Sequence, residues 1–135
     1  MISRRKILAC AAIGVISSAN LALAKNNKPS LVERFDTDHD GTVDLAEAKK
    51  AATETFGKLD TDKDGTLDLK ELHGRLNRKE FAAADGDNDK TIDKDEYLAL
   101  VERRFKAADA DGDGTVNAAE FDTPAGRALA RLLGQ

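Results

Sequence analysis

The chain has 135 residues, of which 34% are charged and 4% aromatic, and it carries a net charge of −4. That length supports one small domain, and so few aromatic residues leave it a thin core. The acidic balance argues against nucleic acid as a partner, and a single cysteine gives no disulfide framework.

Residues 1–24 read as a cleaved export signal. Arg4, Arg5 and Lys6 follow Ser3 as a basic start, an apolar run extends from Ile7 to Leu23, and Ala22-Leu23-Ala24 forms a small-x-small cleavage site. Ser17, Ser18 and Asn20 interrupt the run, which suits a removed leader better than a permanent membrane span. The opening Ser3-Arg4-Arg5-Lys6-Ile7-Leu8 resembles a twin-arginine signal. Sec export fits the same residues, and either route leads to the periplasm. Cys10 has only Ile7, Leu8 and Ala9 between it and the charges, too few for a lipoprotein acceptor. The working domain is then residues 25–135, which hold no cysteine. Three of the 21 Lys and Arg leave with the leader, so 18 face 25 Asp and Glu and the net charge becomes −7.

From Asp36 onward one twelve-residue acidic pattern recurs at Asp36–Glu47, Asp60–Glu71, Asp85–Glu96 and Asp109–Glu120. The first, DTDHDGTVDLAE, sets Asp36, Asp38 and Asp40 at positions 1, 3 and 5, Gly41 at 6, Thr42 at 7, Asp44 at 9 and Glu47 at 12. Alternate residues of a tightly coiled loop aim oxygens at one centre, the residue at 7 offers its carbonyl, and a long Glu closes the shell. This is the EF-hand pattern for a hard cation. The second loop repeats it with Asp60, Asp62, Asp64, Thr66, Asp68 and Glu71. The third has Asp85, Asp87, Asp89, Thr91, Asp93 and Glu96, but Lys90 stands where glycine makes the sharp turn. A non-glycine residue at positive φ costs about 1 kcal/mol, so this loop is expected to bind less tightly. The fourth has Asp109, Asp111, Asp113, Thr115 and Glu120, with Asn117 at position 9.

Consecutive loops are separated by 12, 13 and 12 residues, room for one short helix each. Residues 48–59 (Ala48, Ala51, Ala52, Thr55, Phe56, Leu59) and 97–108 (Tyr97, Leu98, Val101, Phe105, Ala108) follow the helical period. Each would span about 18 Å and serve two loops at once. The middle connector differs: Asn77 and Glu80 form a capping box, and Leu76 with Phe81 a hydrophobic staple, so two half-helices are predicted there. A bend at that point pairs loop 2 with loop 3 and leaves loop 1 to pair with loop 4. Position 8 is apolar throughout (Val43, Leu67, Ile92, Val116), as expected where paired loops bury a short strand contact. Thr123 caps a last helix with Pro124 at its first position, running through Leu129, Leu132 and Leu133 and expected to pack near Leu31, Val32 and Phe35. The predicted architecture is all-α, a compact bundle of short helices with four EF-hand loops at unusually short spacing.

Nothing in the chain arranges groups for covalent catalysis, so an enzyme is not expected. His39 and His73 are isolated and expected in solvent, His39 at an outward-facing loop position.

The four short-spaced loops, aspartate at position 9 in three of them, and the segments Glu71-Leu72-His73-Gly74-Arg75, Glu96-Tyr97-Leu98-Ala99 and Thr123-Pro124-Ala125-Gly126 resemble the lanmodulins, periplasmic lanthanide-binding proteins. The resemblance covers the whole chain after the leader. It implies metal ligands at positions 1, 3, 5, 9 and 12 of every loop, with Thr42, Thr66, Thr91 and Thr115 giving carbonyls. Lanmodulins commonly carry proline at position 2, and this chain departs from them with Thr37, Thr61, Gly86 and Ala110.

Charge gives an independent reason to expect trivalent ions. Loops 1, 2 and 3 each aim five carboxylates at one centre, leaving a formal −3 around a divalent ion and −2 around a trivalent one. Attraction rises by half with the extra charge while the dehydration cost rises faster, and a carboxylate-rich site makes up the difference. Loop 4, with four carboxylates, is less biased. A periplasmic calcium buffer or sensor is the alternative, since every ligand is a hard oxygen. An adaptor that presents its metal-dependent fold to an unidentified periplasmic protein is compatible with either ion. The −7 charge and thin core predict folding coupled to metal binding.

Overall fold

A computed structural model describes residues 29–72 and 74–134; the segment 1–28, which holds the expected export signal, His73 and Gln135 lie outside the described residues. The elements run α1 (Leu31–Phe35), β1 (Val43–Asp44), α2 (Leu45–Leu59), β2 (Thr66–Leu67), α3 (Arg78–Ala84), β3 (Ile92–Asp93), α4 (Lys94–Ala108), β4 (Thr115–Val116), α5 (Ala118–Phe121) and α6 (Pro124–Leu133).

Loops 1, 3 and 4 end by starting a helix. Asp44, Asp93 and Asn117 at position 9 are the N-caps of α2, α4 and α5, and the position-12 glutamates Glu47, Glu96 and Glu120 complete capping boxes. Two orphan donors are thereby satisfied at each of these three helix starts. The two long connectors consequently begin three residues earlier than their apolar period indicates, and at fifteen residues each spans about 22 Å.

The predicted loop pairing is observed as two antiparallel two-residue ladders. Val43 faces Val116 and Leu67 faces Ile92, all four fully buried.

The middle connector corrects one expectation. Asp68 accepts from the Glu71 amide at 2.8 Å as an N-cap does, but the chain then makes only a single turn, Leu72 N–H to the Asp68 carbonyl. Gly74 takes φ +72°, a left-handed conformation that stops the turn without the cost a Cβ carries. The second half forms as predicted: Asn77 and Glu80 make the capping box of α3, with Leu76 and Phe81 buried beside it.

The buried faces of α2 and α4 pack together, and α6 lies against both. Phe56 meets Tyr97 edge to face at 5.6 Å. The Tyr97 hydroxyl donates to the Leu132 carbonyl at 2.7 Å, and Thr55 donates to the Leu133 carbonyl at 2.9 Å. Burial pushes the Tyr97 hydroxyl up to about 12, against the opposing pull of Arg75 and Arg104. Thr123 caps α6 as predicted, with Pro124 at its first position. Helix α6 packs chiefly on α2, α4 and α5, and α1 on α5 and α2, with Phe35 and Phe121 at 6.3 Å; Val32 and Phe35 share one buried cluster with Leu129, Leu132 and Leu133, as expected. Gly126 permits the tight α5–α6 junction: a Cβ there would lie 2.1 Å from the Glu120 carbonyl oxygen. Among the described residues no helix is long and apolar enough to cross a membrane.

Candidate metal centre

The four loops share one internal wiring. The position-1 carboxylate accepts the position-6 amide in all four, from Gly41 at 2.9 Å, Gly65 at 3.1 Å, Lys90 at 3.0 Å and Gly114 at 2.9 Å. The position-3 carboxylates Asp38, Asp62, Asp87 and Asp111 accept the position-5 amide at 3.1–3.2 Å. At position 7 the threonine amide and hydroxyl both donate to the position-5 aspartate, as in Thr66 to Asp64 at 2.8 Å each. The sequence assigned these threonines a carbonyl and missed the hydroxyl's role.

These bonds hold carboxylate oxygens within 4.8 Å of one another in four groups: Asp36, Asp38 and Asp40; Asp60, Asp62 and Glu71; Asp85, Asp87 and Glu96; Asp109, Asp111 and Glu120. Asp44, Asp68, Asp93 and Asn117 stand outside these tightest groups, each with one side-chain oxygen committed to the position-12 amide, and Glu47 alone among the closing glutamates also stands outside its loop's group. Asp64, Asp89 and Asp113 also stand outside them, held by their threonines. His39 is exposed, as expected.

Crowding is written into the acidities. The position-5 amide favours the charged form of Asp38, yet lost solvent and the neighbouring carboxylates prevail and raise it; Asp62, Asp87 and Asp111 are raised in the same way. Amide and hydroxyl of the position-7 threonine hold Asp64, Asp89 and Asp113 below the usual range. Burial would raise Glu47, but the Thr37 and Asp44 amides and the Thr37 hydroxyl outweigh it and hold it low. Glu71 is lowered by the Asp68 amide and the Thr61 hydroxyl and amide. Like charges gathered by a fixed backbone mark a candidate cation site. Loop 2 adds a direct observation: Asp60 Oδ1 is buried and has no hydrogen-bond partner among the described residues. A hard cation fits that oxygen and the all-oxygen donor set.

Two backbone features complete the geometry. Lys90 at position 6 takes φ +71°, as its place in the pattern requires, where Gly41, Gly65 and Gly114 take +86° to +89°. Position 4 is also left-handed in every loop, at His39, Lys63, Asn88 and Gly112, which the sequence reading missed because four different residue types occupy it.

Residues 33–50, 53–76 and 100–123 match the EF hand family. They include loops 1, 2 and 4, and loop 3, with Lys90 at its turn, lies outside the matched stretches. The comparison with curated proteins found no match. EF-hand motifs and four acidic oxygen groups together support metal binding by this chain.

Proposed function

We propose that this protein is exported to the periplasm, binds trivalent lanthanide ions through its four loops, and folds as it binds them. The observation that carries this reading is the five-carboxylate donor set in each of loops 1, 2 and 3, with Asp44, Asp68 and Asp93 at position 9. Positions 1, 3, 5, 9 and 12 and the position-7 carbonyl would hold the ion, which supplies the charge that offsets the crowding of the carboxylates. The role is binding, not catalysis.

Coupling to folding has a local cause. In loops 1, 3 and 4 the residues at positions 9 and 12 are also the capping box of the helix that begins there. Fixing those side chains around an ion fixes the helix start as well, so binding free energy becomes folding free energy. Without an ion, a net charge of −7 over residues 25–135 opposes compaction.

Calcium binding is the second reading, favoured by the EF-hand matches themselves. Titration of the metal-free protein by circular dichroism, with lanthanum and separately with calcium, decides between them. Helix should form at far lower free lanthanum than free calcium. Equal midpoints would make this a calcium protein, and a metal-free spectrum already fully helical would remove the coupling to folding.

A further inference from the structure

The closing glutamates differ between loops in a way that the acidic pattern does not reveal. In all four, one carboxylate oxygen (Oε2) accepts the position-9 amide, at 3.1 Å in Glu47, 3.2 Å in Glu71, 3.1 Å in Glu96 and 3.0 Å in Glu120. The other (Oε1) reaches back across the loop to the position-2 amide, at 2.6, 3.0, 2.7 and 3.0 Å in the same order. The glutamate is therefore a bolt between the start and the end of its loop. In loops 1 and 2 the position-2 residue adds a second donor to the same oxygen: the Thr37 and Thr61 hydroxyls each lie 2.9 Å from Oε1. Loops 3 and 4 have Gly86 and Ala110 there, which offer no hydroxyl.

We propose that Thr37 and Thr61 are positioning residues that lock Glu47 and Glu71 in the closed geometry, so that loops 1 and 2 release their ions more slowly than loops 3 and 4. The proposal rests on the reading of these loops as metal sites and holds for either ion. A free glutamate must give up rotamer freedom when it closes on an ion. A hydroxyl that already holds the carboxylate removes part of that cost beforehand, as preorganisation does in any binding site. A threonine hydroxyl also donates to a charged acceptor here, the stronger kind of hydrogen bond. The hydroxyl and the position-2 amide share one oxygen and leave Oε2 to the position-9 amide, so the carboxylate stays directed across the loop.

Chelator-driven release from the fully loaded protein, followed by stopped flow with lanthanum and with calcium, tests this. In Thr37→Val/Thr61→Val, two of the four release events should accelerate about tenfold, the low end for a hydrogen bond to a charged group, while the other two keep their rates. Thr37→Ser/Thr61→Ser should restore the native rates, because serine keeps the donor and loses only a methyl. Ala110→Thr should slow one event by a similar factor, and this variant tests the idea by gain even if the valine pair folds poorly. Unchanged rates in the valine pair, failure of serine to restore them, or no slowing in Ala110→Thr would overturn the proposal. Absence of binding by the native chain to both ions would instead overturn the reading of the loops as metal sites.

Discussion

Loops 1 and 4 meet in the company of α1, α5 and α6, and their closing glutamates are buried, Glu47 at 8% exposure and Glu120 at 7%. Loops 2 and 3 meet beside a one-turn connector and the seven-residue α3, and Glu71 and Glu96 there remain half-buried. The pattern of ligands is nearly the same in both pairs, so the difference comes from what packs behind the loops. Charges in the drier pair interact more strongly with each other and with an ion. Each pair also mixes one regular loop with one irregular one: loop 1 with the Asn117 loop, loop 2 with the Lys90 loop. The irregular member of each pair is therefore tied through its ladder to a regular one.

The largest expected effect comes from disturbing the α5–α6 junction that backs loops 1 and 4. Gly126→Ala places a Cβ 2.1 Å from the Glu120 carbonyl oxygen and 2.5 Å from Phe121 Cα, both backbone atoms that cannot swing away. A loss of about 3 kcal/mol in the metal-loaded protein is expected from the overpacking, read by thermal denaturation. Release from loops 1 and 4 should accelerate while loops 2 and 3 are spared. Equal acceleration of all four would mean that the two pairs do not differ in what supports them.

Tyr97 ties one pair to the other. It sits one residue after the loop 3 glutamate and reaches the Leu132 carbonyl in α6, the helix beyond loop 4. Tyr97→Phe keeps the ring against Phe56 and leaves that carbonyl without its donor, for a loss of about 2 kcal/mol. The variant should also bind the two pairs of ions less concertedly, visible as a broader folding transition on metal titration. A transition as sharp as the native one would place the coupling elsewhere, in the packing of α2 on α4.

Much of this was legible in the residues. The acidic pattern placed the loops, their spacing and the bend at Asn77 gave the pairing, and the position-8 residues gave the ladders. Thr123-Pro124 and Asn77-x-x-Glu80 are local signals for helix starts and worked because a cap depends on four consecutive residues. What the residues did not show depended on backbone curvature or distant packing. The turn after loop 2 looks able to continue as a helix until Gly74 is seen at positive φ. The last helix was expected near Leu31, Val32 and Phe35 and does share their buried cluster, but its chief partners, α2 and α4, were not read from the sequence. Thr37 and Thr61 read only as missing prolines, since the glutamate they hold is ten residues away.

The smallest effect tests the irregular loop of the more exposed pair. The Lys90 amide donates to Asp85 at 3.0 Å, much as the glycines of the other loops do, so the backbone has kept its bond while bearing a Cβ at φ +71°. Lys90→Gly removes that strain, about 1 kcal/mol, together with a positive charge near the carboxylates. Loop 3 should bind about fivefold tighter, loop 2 should tighten with it through the Leu67–Ile92 ladder, and loops 1 and 4 should not change. Lys90→Ala divides the two causes, because it removes the charge and keeps the Cβ. Tightening in glycine but not in alanine assigns the weakness of loop 3 to the backbone, equal tightening assigns it to the ammonium, and no change in either removes Lys90 as its cause.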